Sequence, residues 1–392
     1  MNKISVVFGG WYQRTTLHLT EIYDLFAFGK SDLDLAPEKL KELQKNLDLK
    51  RVTREAGYLE FIQAETNAGI KMKYYEDGLY ILEVEISDLN QIKSAQEKLG
   101  NYYNTCLSPA TSYIFSLGAP TPKILANIKT IHPTVISISN DDLKNIQIKE
   151  EDFGAVYGQI TTKDISVFKT PGYIFIASKS NLEPIANEIL EMQIFFREFK
   201  DQLQKYLNIH RNLWEEISKI KEQKTLKGTE VESIRAHLDG YQKTISLISN
   251  RINQMGTYVH TRSSIAQNVK IEEYLVKLFE FKFEVLSDTL EYIKEIWKMT
   301  SEYLFTAIQN VVEIKNQSAT RGIQSLQLIT SLGVVSGIIG YLAKNELPSV
   351  TAKGAIYFAL IIIITWAINN IITKIYISKK YKIKFGERAS NI

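Results

Sequence analysis

The sequence predicts an α+β membrane protein: an N-terminal cytosolic α/β domain, a helical hairpin, and a long stalk helix continuing into a two-helix transmembrane hairpin. Three observations carry that expectation. Residues 322–343 (GIQSLQLITSLGVVSGIIGYLA) hold no charge, and a bilayer needs about 20 such residues in a helix. A second uncharged run, 355–373 (AIYFALIIIITWAINNIIT), follows after a short loop. Upstream, only Pro184 interrupts the chain between Leu182 and Pro348, and helix formers dominate there.

The predicted divisions are 1–182 for a ligand-sensing α/β domain, 183–264 for the hairpin and 265–321 for the stalk. Next come 322–343 as a first, pore-forming span, 344–354 as an outer loop, 355–373 as a second span and 374–392 as a basic tail. In the first domain, Ile4–Phe8 reads as a buried strand ending at Gly9-Gly10. Helices are expected over Thr15–Phe28, Pro37–Leu49, Asp88–Leu99 and Lys123–Lys129. Strands are expected over Tyr58–Ala64, Ile70–Tyr75, Leu79–Ile86, Ser112–Leu117, Thr134–Ser139, Gly154–Thr161 and Tyr173–Ala177. The helical part divides into about Pro184–Gln223, Thr229–Arg262 and Ile265–Leu342.

The net charge of +3 is too small to suggest nucleic-acid binding, and no basic stripe interleaved with aromatics precedes the C-terminus. A single cysteine, Cys106, suits a reducing cytosol. The N-terminus lacks the apolar core of a secretory signal. Lys374, Lys379, Lys380, Lys382, Lys384 and Arg388 follow the second run, against Glu387 alone. The positive-inside rule then places both termini in the cytoplasm, with the chain in the cell's inner (plasma) membrane.

Steps of four and three residues from Val285 pass through Tyr292, Met299, Asn310, Gln317, Thr320, Gln324, Gln327, Ser331, Val334 and Ile338. A spacing of about 3.5 keeps one face turned to a shared axis when helices associate. Asn310, Gln317, Thr320, Gln324, Gln327, Ser331, Val334 and Ile338 are therefore the candidate pore lining of a homo-oligomer, with Val334 and Ile338 as an apolar gate. Polar bonding between neighbouring helices is the plainer alternative for Gln324, Gln327 and Ser331. The segment Glu272–Glu302 has eight acidic residues against four lysines, which would gather cations or simply solvate a helix face.

No catalytic signature is present, so the sequence points away from an enzyme. His18, His132, His210, His237 and His260 show no metal-ligand spacing, and neither a phosphate-binding loop nor a nucleophile elbow occurs. The run Gly9-Gly10 followed by Arg14 and Thr15 is a candidate phosphate cradle, or else a plain strand-to-helix turn.

This order of parts, with the basic-aromatic ending Ser378–Phe385, resembles the CorA-type magnesium transporter superfamily. The resemblance implies a homopentamer whose first span lines an ion pore. The family's Gly-Met-Asn signature is missing: Gly340-Tyr341-Leu342 and the following Ala343-Lys344-Asn345 stand in its place. In this the chain is similar to the CorA-like membrane effectors of type III CRISPR systems. That similarity implies an ion channel gated by an adenine-nucleotide messenger in antiviral defence. The alternatives are a magnesium or other divalent-cation transporter regulated by cytosolic Mg²⁺ and a membrane-anchored scaffold. The implied partners are the lipid bilayer, further copies of the chain, and a small ligand or ions, with no nucleic acid.

Overall fold

The computed structural model describes residues 3–12, 19–117, 132–143, 146, 148–222, 225–342, 352–378 and 380–382. These fall into two compact units, one of Met1–Ile209 with Leu247–Ile296 and the other of His210–Ser246 with Trp297–Ile392.

The first unit is built on a nine-stranded sheet, and apolar strand sequences explain why its middle is covered on both faces. In chain order the strands are β1 (Lys3–Trp11), β2 (Leu49–Ala56), β3 (Glu60–Thr66), β4 (Lys71–Tyr75) and β5 (Leu79–Ile86). They continue with β6 (Thr134–Ser139), β7 (Gly158–Thr161), β8 (Ile165–Lys169) and β9 (Tyr173–Ser178). The spatial order is β2-β3-β4-β5-β1-β6-β9-β8-β7, with β6 and β9 parallel and the other neighbours antiparallel. Side chains alternate between the two faces of a strand. Val6, Met72, Tyr74, Leu82, Ile136 and Phe175 accordingly share one buried core. Leu25 and Phe26 of α1 (Leu19–Phe28), Leu40 of α2 (Pro37–Leu47), Leu99 of α3 (Ile92–Tyr102) and Ala110 of α4 (Ser108–Ile114) close that side. The strand at one edge, β2, is mostly exposed and carries Lys50, Arg51 and Arg54, which discourages pairing with another sheet.

After the short helix α5 (Glu150–Phe153) come α6 (Glu183–Glu222), α7 (Gly228–Asn268), α8 (Glu272–Phe279), α9 (Phe283–Leu342) and α10 (Ala352–Ser378). The chain ends of the first unit's sheet meet α6 and α7 through rings: Trp11 stacks on Phe199 at 5.5 Å and meets Tyr258 edge-on at 5.7 Å. In the second unit Trp214 stacks on Tyr303 at 4.5 Å, and Lys315 pairs with Glu232 at 2.9 Å. There the three-residue strands β10 (Thr225–Lys227) and β11 (Lys380–Lys382) form an antiparallel ribbon.

Several expectations are corrected. The expected strand at Ser112–Leu117 is helical, because Pro109 stands at the start of α4 and fixes helical φ there. The unbroken stalk from Ile265 stops twice before α9 begins. Lys270 and Glu280 both take left-handed φ of 59°, and the Glu280 N–H turns back to the Val276 carbonyl. Most consequentially, among the described residues no helix is long and apolar enough to cross a membrane. The spans at 322–343 and 355–373, the inner-membrane localisation and the α+β membrane class are withdrawn in favour of an α/β protein with a nine-stranded sheet, and the expected outer loop at 344–354 lies mostly outside the described residues. The first run in particular is uncharged without being apolar throughout. Gln324, Gln327, Thr330 and Ser331 interrupt one run and Asn369, Asn370 and Thr373 the other. Each such amide or hydroxyl opposes transfer into hydrocarbon.

Candidate functional site

The helix α9 is apolar on two faces for two different reasons. One face is buried within the chain. In the first unit its row is Phe283, Leu286, Leu290 and Ile293, and in the second it continues as Trp297, Thr300, Leu304, Ala307, Val311 and Ile314. These positions alternate by three and four residues, the spacing of a helix packed lengthwise on its neighbours. The second face carries Val285, Tyr292 and Met299, seven residues apart and 57%, 62% and 59% exposed. These large apolar groups repeat on a face that the chain itself leaves uncovered.

The candidate pore residues continue from that second face. Asn310 is half-buried, and Thr320, Gln324, Gln327, Ser331 and Val334 are exposed. Gln317 and Ile338 lie on α9, but their side chains fall outside the described residues. The Ser331 hydroxyl donates to the Leu328 carbonyl at 3.0 Å and that of Thr330 to the Leu326 carbonyl at 2.8 Å. Hydroxyls turned back onto their own helix find an acceptor there rather than across a neighbouring helix. A cleft of about 370 Å³ separates Leu326, Ile329 and Thr330 of α9 from Ile362, Trp366 and Ile368 of α10. On α10, Ile356, Ile363, Trp366, Ile371 and Ile375 are all more than half exposed.

In the first unit, the glycine pair has a packing role. The strand β1 runs through both glycines, which pair with β5 as Gly9↔Ile81 and Gly10↔Tyr80. A Cβ on Gly9 would lie 2.9 Å from the Tyr80 carbonyl oxygen and 3.0 Å from Ile194 Cδ1. One on Gly10 would lie 2.5 Å from the Tyr80 hydroxyl. Arg14 and Thr15 lie outside the described residues. Because the backbone oxygen facing Gly9 cannot swing aside, Gly9→Ala is expected to destabilise the chain by about 1–3 kcal/mol in denaturant unfolding.

Beside Gly9 is a polar centre that the sequence did not reveal. The Arg197 guanidinium on α6 donates to the Gly9 carbonyl at 3.0 Å and to the Pro133 carbonyl at 2.7 Å. Its Nε faces Glu198 at 3.4 Å. His132 Nε2 lies 3.4 Å from Glu198 and 3.9 Å from Asp201, whose carboxylate pairs with Lys205 at 2.7 Å. Burial, reinforced by Asp201, pushes the Glu198 carboxyl up to about 7 against the pull of Arg197 and Lys205. Burial and the charge of Arg197 push His132 down to about 4.

A second network pins the β4–β5 turn to α6 and α7. Arg262 donates to both Asp77 oxygens, at 2.7 and 3.0 Å, and each side chain is 2% exposed. Burial works against the charge on Arg262, but Asp77 outweighs it and holds the guanidinium protonated. Trp11 Nε1 donates to the Asp77 carbonyl at 2.7 Å, and Arg262 lies over the Tyr75 ring at 4.7 Å. Glu191 accepts from the Tyr75 hydroxyl at 2.5 Å and from Lys73 at 2.9 Å.

The first unit also holds a ligand-sized cleft of about 640 Å³. Val259 of α7, Glu272, Glu273 and Lys277 of α8, and Lys282 and Glu284 at the root of α9 line it, among others, so carboxylates outnumber lysines three to two. Among the described residues no group of three His, Cys, Asp or Glu side chains is placed to hold a metal ion. The chain matches no protein-family model, no curated protein and no solved structure.

Proposed function

We propose that the chain is a homo-oligomeric effector that responds to a small ligand in its first unit and assembles with copies of itself through α9. The observation that carries this reading is the uncovered row Val285, Tyr292 and Met299, set at heptad spacing on the face of α9 away from its intrachain core. An apolar seam with that repeat fits a second copy of the same helix. The ligand part is supported by the cleft of about 640 Å³ at the root of the same helix, a size typical of small-molecule sites. An adenine-nucleotide messenger, as in the CorA-like effectors the sequence resembles, is the proposed ligand. Mg²⁺ is the alternative that the wider superfamily implies. Ion conduction rested on the withdrawn spans and forms no part of the proposal.

Cross-linking tests the assembly. In a Cys106→Ser background, Tyr292→Cys should join chains covalently through a short bis-maleimide, whereas Lys298→Cys, on another face, should not. Equal yields from the two positions, or none from either, would remove the seam. For the ligand, adenylate messengers should raise the thermal midpoint of the purified chain, and Val259→Trp, which fills the cleft, should abolish that rise. No shift with either adenylates or Mg²⁺ would remove the ligand response and leave the assembly standing.

A further inference from the structure

The Arg197 guanidinium ties α6 to the β1 carbonyl of Gly9 and to Pro133, just ahead of β6, through two of its five N–H donors, and its Nε faces Glu198 at 3.4 Å. Glu198 in turn lies 3.4 Å from the His132 imidazole, and the two side chains are only 17% and 20% exposed. We propose that His132 and Glu198 act as a proton-operated clasp on this clamp, loosening the hold of α6 on the strand ends when the pair gives up its proton.

The groups around the pair show why. On α6, Glu198 faces Arg197 and Lys205, which favour its charge, and Asp201, which opposes it. Ahead of β6 it faces His132, and from β5 the hydroxyl of Tyr80, whose own ionisation is driven far out of range by burial. Losing the proton leaves a second carboxylate beside Asp201 in a partly dry site. Arg197 then has a reason to turn from the Gly9 and Pro133 carbonyls toward Glu198, since charge-assisted bonds are the stronger kind. The proton moves between Glu198 and solvent, so no other reactant is required.

The direction with pH follows from linkage. The folded Glu198 carboxyl titrates near 7, above its unfolded value, so its contribution to stability is present at low pH and lost as pH rises through about 7. His132 titrates near 4 when folded, below its unfolded value of about 6.5, so its contribution is lost as pH falls through that interval. Between about pH 4.5 and 6.5 the two oppose one another, and only Glu198 acts between about 6.5 and 7.5.

Thermal midpoints of the full chain from pH 4.5 to 8, with tryptophan fluorescence as a second readout, test the clasp. Trp11 lies stacked on Phe199, next to Glu198 in the chain, and so reports on this end of α6. The wild type should lose about 2 °C between pH 6.5 and 7.5, and Glu198→Gln should lose that step. In His132→Gln the opposing contribution is gone, so the midpoint should fall across the whole range from pH 4.5 to 7.5. An unchanged step in Glu198→Gln, or a His132→Gln profile that overlays the wild type, would overturn the proposal. If Glu198→Gln folds poorly, the His132→Gln profile alone decides.

Discussion

Replacing Arg262 with Ala is expected to destabilise the first unit by about 3–5 kcal/mol, because it leaves the Asp77 carboxylate buried without its cation. Both side chains are 2% exposed, so water cannot take the place of the guanidinium. The loss spreads beyond the pair. Asp77 also accepts the Leu79 N–H at 3.1 Å, its carbonyl holds Trp11, and Arg262 covers the Tyr75 ring. The pair's net contribution is a separate matter, since taking two charges out of water offsets much of their attraction. Asp77→Leu combined with Arg262→Met should therefore recover most of what Arg262→Ala loses. Urea unfolding of the wild type, the single variant and the double variant measures both. A loss below about 1 kcal/mol in Arg262→Ala would show that the turn is held by something other than this pair.

The second large effect is on assembly. Tyr292 and Met299 are 62% and 59% exposed in one chain, and burying a large apolar side chain contributes about 1.5–3 kcal/mol. Tyr292→Glu with Met299→Glu removes both contributions and places like charges on a seam already flanked by Asp288, Glu295 and Glu302. The dissociation constant between copies should rise about a hundredfold or more. The fold of one chain should be unaffected, because the buried row from Phe283 to Ile314 is a different face. A concentration series by sedimentation velocity reads the shift, and an unchanged constant would place the contact elsewhere.

Much of the sheet was legible because its strands are short apolar runs closed by turn residues. Leu79–Ile86 and Thr134–Ser139 coincide with β5 and β6. The strand β2 was not visible: its sequence LKRVTREA is an exposed edge with no apolar run. Gly9-Gly10 looked like a terminus because glycine usually ends a strand, whereas here the absent side chains admit Tyr80 and Ile194. The helix breaks at Lys270 and Glu280 use neither glycine nor proline, the residues that signal such breaks in sequence. On α9 the exposed stripe was readable from spacing, but the buried stripe interleaved with it was missed. Both have a period near 3.5, and spacing alone cannot say which faces the chain's own core. The Arg197–Glu198–His132 centre joins residues far apart in sequence and leaves no local motif. In the first of the two uncharged runs, absence of charge was taken for hydrophobicity although Gln324 and Gln327 interrupt it.

The most direct measurement is the mass of the full-length chain by mass photometry in detergent-free buffer, repeated for Tyr292→Glu with Met299→Glu and in the presence of phosphatidylcholine vesicles. Self-assembly through α9 predicts a discrete oligomer in the wild type, a smaller species in the double variant, and the same pair of masses whether or not vesicles are present. A wild-type monomer throughout would contradict assembly through this seam. So would partition of both proteins into vesicles with no discrete oligomer in solution, because the apolar surface of α9 and α10 would then be meeting lipid rather than another copy.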